Sequence, residues 1–215
     1  DPTGCEIRGV SRSDAESVVQ DLRSMFIGDE FEPFRELITR SGKNHKGKSL
    51  AKIDKNALSS ALSGLTLSED QQVLIELVVN TINSEDIHSV QYTSGEGIAS
   101  SQAEEVFLPA IKSGALGTYI DKIVESNGGL PLSILYSFYG AGLTSSTEKG
   151  TFSLVFQSGH PNGRAVTTGH ELLGHGRSLA LGYDKEYQQH VNAIQTENLI
   201  LRVMGISVIN TGSNH

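Results

Sequence analysis

The chain has 215 residues, 37% of them hydrophobic and 20% charged, with a formal net charge of −8 and a single cysteine, Cys5. The hydrophobic content suits one globular domain, the acidic balance argues against a general nucleic-acid binder, and one cysteine excludes an internal disulfide. No apolar run approaches the roughly 20 residues of a membrane helix, and the first residues do not read as a signal peptide.

In chain order, Ser13-Asp14-Ala15-Glu16 reads as a capping box. It opens an amphipathic helix to about Phe26, with Val18, Val19, Leu22, Met25 and Phe26 inward. Phe31 to Ile38 suits a strand or a short helix. From Arg40 to Lys55 the chain is basic, with Arg40, Lys43, Lys46, Lys48, Lys52 and Lys55 against Asp54. A solvated connection is the expectation there, with a patch for phosphate or an acidic substrate as the alternative. Ser68 and Gln71 cap a second helix to about Asn83, burying Val73, Leu74, Leu77, Val78 and Ile82.

Val90 to Thr93 is a short strand. Residues 94–118, punctuated by Gly95, Gly97, Gly114 and Gly117 and interrupted by Pro109, read as short helices and loops. Tyr119 to Val124 is helical and stops at Asn127-Gly128-Gly129, while Leu132 to Tyr139 is open between strand and helix. Thr151 to Gln157 alternates, with Phe152, Leu154 and Phe156 on one face, as a strand does, and Gly159 to Gly163 is a turn. The expected organisation is a tail over residues 1–12 and a single domain over 13–215, without internal repeats or linkers.

The chemistry concentrates at His170-Glu171-Leu172-Leu173-Gly174-His175. In the metal-binding pattern His-Glu-x-x-His, the two imidazoles at i and i+4 stand about 40° apart on an α-helix. One extra residue here widens the offset to about 140° on a regular helix, too far for one ion. A single-turn π-bulge would return both rings to one face, and Gly174 sits where a distorted backbone costs least.

The hexapeptide is identical to the zinc motif of the dipeptidyl peptidase III family, in which two histidines bind zinc and the glutamate activates water. The match covers residues 170–175, with Gly176 also fitting; that family's Glu-Glu-Cys-rich second motif is absent. Asp1-Pro2-Thr3-Gly4 resembles the tetrapeptide that closes the core of rearrangement-hotspot (RHS) repeat proteins, ahead of C-terminal domains that are often toxins; a Pro-Gly turn is the plain alternative. The His-Glu helix followed by Glu197-Asn198 and Arg202 also resembles the metallopeptidase domains attached to such repeats, which are related to type III secreted effector zinc peptidases.

These resemblances imply a zincin-like α+β fold, mainly helical with a small sheet beside the motif helix, of the gluzincin kind, with zinc as cofactor. They also imply delivery within a larger exported or cell-surface protein, a peptide or protein substrate, and an immunity partner. In zincins a strand ahead of the motif helix lines the cleft and pairs with extended substrate, a place Thr151–Gln157 would take.

Catalytic zinc usually takes three protein ligands and a water. After His175 the candidates are Asp184, Glu186, His190 and Glu197. Glu197 falls within the apolar stripe Ile194, Leu201, Met204, where a carboxylate needs a metal or a cation; the competing partner is an arginine, Arg177 or Arg202. His190, seven residues before Glu197, offers an alternative ligand, an oxyanion-stabilising group, or a core histidine. Asn198 and Arg202 are candidates to orient the ligands. Tyr183 and Tyr187 are candidates to donate to a tetrahedral intermediate. His45, His88, His160 and His215 read as ordinary surface histidines.

The expected reaction is peptide hydrolysis with Glu171 as general base. The alternatives are an inactive zincin-like binding domain, or a zinc hydrolase of non-peptide amides.

Overall fold

The computed structural model describes residues 6–41, 49–183 and 186–212. The Asp1–Gly4 tetrapeptide, Cys5, Lys43, His45, Lys46, Lys48, Asp184, the side chain of Glu186 and His215 lie outside them.

The fold is α+β, mainly helical around a four-stranded mixed sheet. Strands β1 (Glu6–Gly9), β2 (Ile87–Thr93), β3 (Gly142–Thr147) and β4 (Gly150–Phe156) are ordered β1-β2-β4-β3. β1, β2 and β4 run parallel, and β3 folds back on β4 as an antiparallel hairpin partner. β1 therefore puts residues 6–9, expected as tail, inside the domain as an outer strand. Such a short strand carries no periodicity of its own, and its partner β2 lies some eighty residues away.

Each face of the sheet is covered. On one side Phe152, Leu154 and Phe156 of β4 pack against Phe107 and Ile111 of α5 (Ser101–Ser113), Ile120 of α6 (Ile120–Asn127) and Leu135 of α7 (Leu132–Tyr139). On the other, Ile7, Val90 and Val155 meet a larger core with Val18 and Leu22 of α1 (Arg12–Ser24), Phe34 of α2 (Glu32–Leu37) and Leu74, Val78 and Ile82 of α4 (Glu69–Ile82). β4 is thus buried on both faces, as an interior parallel strand is, and Thr151 and Ser153 lie in the core with its apolar residues.

Several local expectations change. The capping box of α1 is Ser11 with Asp14, two residues earlier than Ser13 with Glu16. Asp14 accepts from the Ser11 backbone at 2.9 Å and also from the backbone of Tyr92 at 2.9 Å, joining helix to sheet. The Ser68–Gln71 box of α4 is present as read, but Val73 is 47% exposed and Ile75 takes the inward position. The basic run ends at the start of a helix, α3 (Lys55–Ala61), capped by Asp54, and Arg40 lies 3.7 Å from Glu16.

Pro109 does not interrupt α5. Its exposed ring lies on the solvent side of a helix whose stripe Ala103, Phe107, Ile111 is buried. Burial of that stripe, at about 1.5–3 kcal/mol for the larger side chains, offsets the local cost of proline, about 3 kcal/mol. Leu132–Tyr139 is a helix, and α6 ends at Gly128 in the left-handed conformation, φ 71°.

A π-helical site between sheet and helix

The motif lies on a helix in three pieces: α8 (Arg164–Thr168), a π-helical segment (Gly169–Gly176) and α9 (Arg177–Ala180). The distortion is longer than one bulged turn. With i→i+5 closure, residues five apart stack as residues four apart do in an α-helix, so His170 and His175 share a face, their ring centroids 5.0 Å apart. Two imidazoles on one tetrahedral ion, with metal–nitrogen bonds of about 2.0–2.1 Å, also have centroids roughly 5 Å apart.

Gly174 serves this arrangement by close approach. A Cβ there would stand 2.7 Å from Cα of Ala193, on helix α10 (Glu186–Val203), so the two backbones meet where only glycine fits. α10 thereby sets Glu197 and His190 against the motif. Oε2 of Glu197 lies 2.7 Å from Nδ1 of His170, both residues nearly enclosed, and the His190 ring stands 5.2 Å from that of His175 at 85°. The contact puts the proton of neutral His170 on Nδ1 and makes Nε2 its lone-pair nitrogen, the form in which histidine binds a metal.

Burial opposes charge on His170, but the hydrogen bond to Glu197 and the nearby Glu171 and Glu197 carboxylates outweigh it and raise its pKa. Burial likewise favours neutral Glu197, yet hydrogen bonds from His160 and His170 hold its carboxyl well below the usual carboxylate range.

Glu171 points the other way, toward the sheet. Thr144 on β3 donates to its Oε2 at 2.7 Å, and Ser153 lies 2.8 Å from the same hydroxyl. Because the threonine proton goes to the carboxylate, Ser153 is the donor to Thr144. Burial raises the Glu171 pKa, against the lowering effects of His170 and Thr144. A Cβ on Gly142 would lie 2.7 Å from Cγ of Glu171 and 2.9 Å from Oε1, so strand β3 runs against the base.

The remaining expected residues divide. Asn198 donates to the backbone carbonyl of Asn210 at 2.9 Å and accepts from its N–H at 2.8 Å; Asn210 Nδ2 in turn donates to Glu197 Oε2 at 3.1 Å. Arg202 is not at the site. It makes a two-pronged contact with Asp70 of α4, so neither it nor Arg177 is the partner of Glu197. Tyr183 and Tyr187 are 46% and 80% exposed, on the connection before α10 and at its start.

Two histidines read as ordinary are not. His160 touches Glu197 Oε1 at 3.3 Å, and His88 is fully buried against Thr151 at 2.9 Å. The signal that could have found His160 is the Pro161-Asn162-Gly163 turn that follows it, because such a turn can fix the residue before it. Nothing local in Gly142–Thr147 marks Thr144. The strand expected to meet substrate, Thr151–Gln157, is interior, and the outer strand beside Glu171 is β3.

Among the described residues no three His, Cys, Asp or Glu side chains are drawn together as a ready metal cage. His170 and Glu197 hold each other instead, through Nδ1 and Oε2 at 2.7 Å. The donor set of imidazoles and one carboxylate suits zinc chemically. No helix among the described residues is long and apolar enough to cross a membrane. Comparison of the chain with protein-family profiles, curated proteins and solved structures gives no match.

Proposed function

We propose that the chain is a zinc-dependent peptidase in which His170, His175 and Glu197 hold the ion and Glu171 is the general base. What carries the reading is the π-helical segment: it brings the two imidazoles within 5.0 Å of each other while burying a glutamate beside them. A distorted helix has a local cost, and π-helical turns concentrate at functional sites. When bound, zinc supplies Lewis acidity that brings the pKa of a water toward neutrality and polarises a carbonyl.

The protein groups do the rest. Oε2 of Glu171 is fixed by Thr144, leaving Oε1 to take a proton from water and later hand it to the departing amine. Burial keeps this carboxyl above its ordinary pKa, closer to the range where it both accepts and releases a proton. The outer strand β3 passes alongside, so an extended peptide pairing with it would lie against the base. His190, whose ring lies 5.2 Å from that of His175, is the candidate for a further ligand or for the group that would meet developing negative charge.

Zinc content, and proteolysis of an unfolded protein substrate, test the assignment. Glu171→Gln should keep its zinc and lose roughly a hundred- to ten-thousandfold in rate, the contribution of general base catalysis. Proteolysis retained in that variant would overturn it. The resemblances at Asp1–Gly4 and Glu197-Asn198 extend the proposal to an exported RHS-type toxin with an immunity partner. Cells expressing the intact chain should then stop growing and those expressing Glu171→Gln should not.

A binding domain without catalysis is the competing reading, favoured by the direct His170–Glu197 contact in place of a cage among the described residues. A protein that takes up no zinc decides for it. Activity confined to non-peptide amides in a substrate panel would place the chain among other zinc hydrolases.

A further inference from the structure

We infer that His160 and Asn210 are positioning residues of the metal centre, acting through Glu197 as a two-sided clamp. The inference rests on the zinc-site reading above.

Glu197 reaches the site from α10 on a flexible side chain, and each of its oxygens meets a hydrogen-bond donor. Oε1 faces Nε2 of His160 at 3.3 Å, while Oε2 receives His170 at 2.7 Å and Asn210 Nδ2 at 3.1 Å. His160 sits in the turn between β4 and α8, and Asn210 in the segment after α10. The two donors therefore converge on one carboxylate from opposite directions along the chain.

Each donor is itself held. The backbone N–H of Asn162 donates to Nδ1 of His160 at 3.0 Å, which places the ring proton on Nε2 and makes that nitrogen the donor to Glu197. Asn210 is fastened by both its backbone groups to the side chain of Asn198, and its Oδ1 accepts from Gly212 at 2.8 Å. The Glu197-Asn198 pair thus divides the work: one side chain enters the site, and its neighbour anchors the loop that returns to orient it. Removing His160 leaves a nearly enclosed carboxylate oxygen short of a donor, and the carboxylate then swings. Outer donors of this kind typically carry ten- to a hundredfold in metal affinity.

The test is the zinc affinity of the full chain, measured by competition with a chromophoric chelator, together with the thermal midpoint. His160→Ala and Asn210→Ala should each bind zinc about 10–100-fold more weakly. His160→Gln, which restores an N–H donor, should recover part of the loss. A merely structural role would lower the midpoint and leave zinc affinity alone. Affinity within twofold of the parent in the His160→Ala/Asn210→Ala double variant overturns the clamp while the zinc site stands. No zinc binding by the parent chain removes the zinc site and the clamp together.

Discussion

The hydroxyl of Thr144, on the outer strand β3, donates to Oε2 of Glu171 at 2.7 Å and is itself held by Ser153 at 2.8 Å. The strand that would receive substrate therefore also fixes the rotamer of the base. Thr144→Val keeps the shape and removes the donor. A hydrogen bond to a charged group contributes about 1.5–3 kcal/mol, so kcat/KM for peptide hydrolysis should fall roughly ten- to a hundredfold with zinc content unchanged. A variant with the parent's kcat/KM would detach β3 from the chemistry.

Gly174 fixes how closely α10 approaches the motif. The methyl of Gly174→Ala would meet Cα of Ala193 at 2.7 Å, and a backbone atom cannot turn aside as a side chain can. Overpacking of this kind costs about 1–3 kcal/mol, which corresponds to a fall of roughly 2–12 °C in thermal midpoint for a domain of this size. Zinc affinity should fall as well, because α10 carries Glu197 and His190. An unchanged midpoint would mean that the helices can part freely.

How much of this was legible in the sequence depends on the range of the forces involved. The Ser68–Gln71 cap, the stop at Gly128 and the shared face of Phe152, Leu154 and Phe156 on β4 are local, and the residues concerned announce them. The need for a π-helical turn was arithmetic, since histidines at i and i+5 do not share a face of a regular helix. Its length was not, and Gly174 turned out to serve the approach of Ala193 more than backbone freedom. β1 and β3 were missed because one is four residues long and the other reads Gly-Leu-Thr-Ser-Ser-Thr, without apolar alternation. His160 and Asn210 lie 37 and 13 residues from Glu197, and only the return of two loops brings them to it.

Upstream of His170, a buried polar cluster anchors the motif helix. Asp21 of α1 accepts from Arg164 at 2.7 Å, from Thr168 at 2.7 Å and from the Tyr92 hydroxyl at 3.0 Å, while the Arg164 guanidinium stacks over the Tyr92 ring. The bond to Asp21 raises the Arg164 pKa against the effect of burial, so the cation is held charged. Breaking one side of a buried pair costs about 3–5 kcal/mol, because the other charge is left uncompensated. Asp21→Ala should lose about that much in urea unfolding, and Asp21→Asn less. A loss under about 1 kcal/mol would show that solvent reaches Arg164 and replaces the carboxylate.

His88 gives the fold a pH dependence separate from the site. Its ring is fully buried on β2 with Nδ1 against Thr151, and Nε2 has no hydrogen-bond partner among the described residues. Burial disfavours the charged form, Asp86 favours it and Arg177 opposes it, with the pKa pushed down to about 4 from 6.5. The unfolded chain therefore binds this proton more readily than the native one. Stability from a neutral buried His88 is complete above about pH 6.5 and is lost as pH falls toward 4, by about 3 kcal/mol. His88→Gln removes the titration but keeps a polar side chain. The unfolding free energy of the parent minus that of His88→Gln should be flat above pH 6.5 and decline below it. Parallel curves down to pH 4 would mean that the His88 ring accepts its proton without cost in the folded protein.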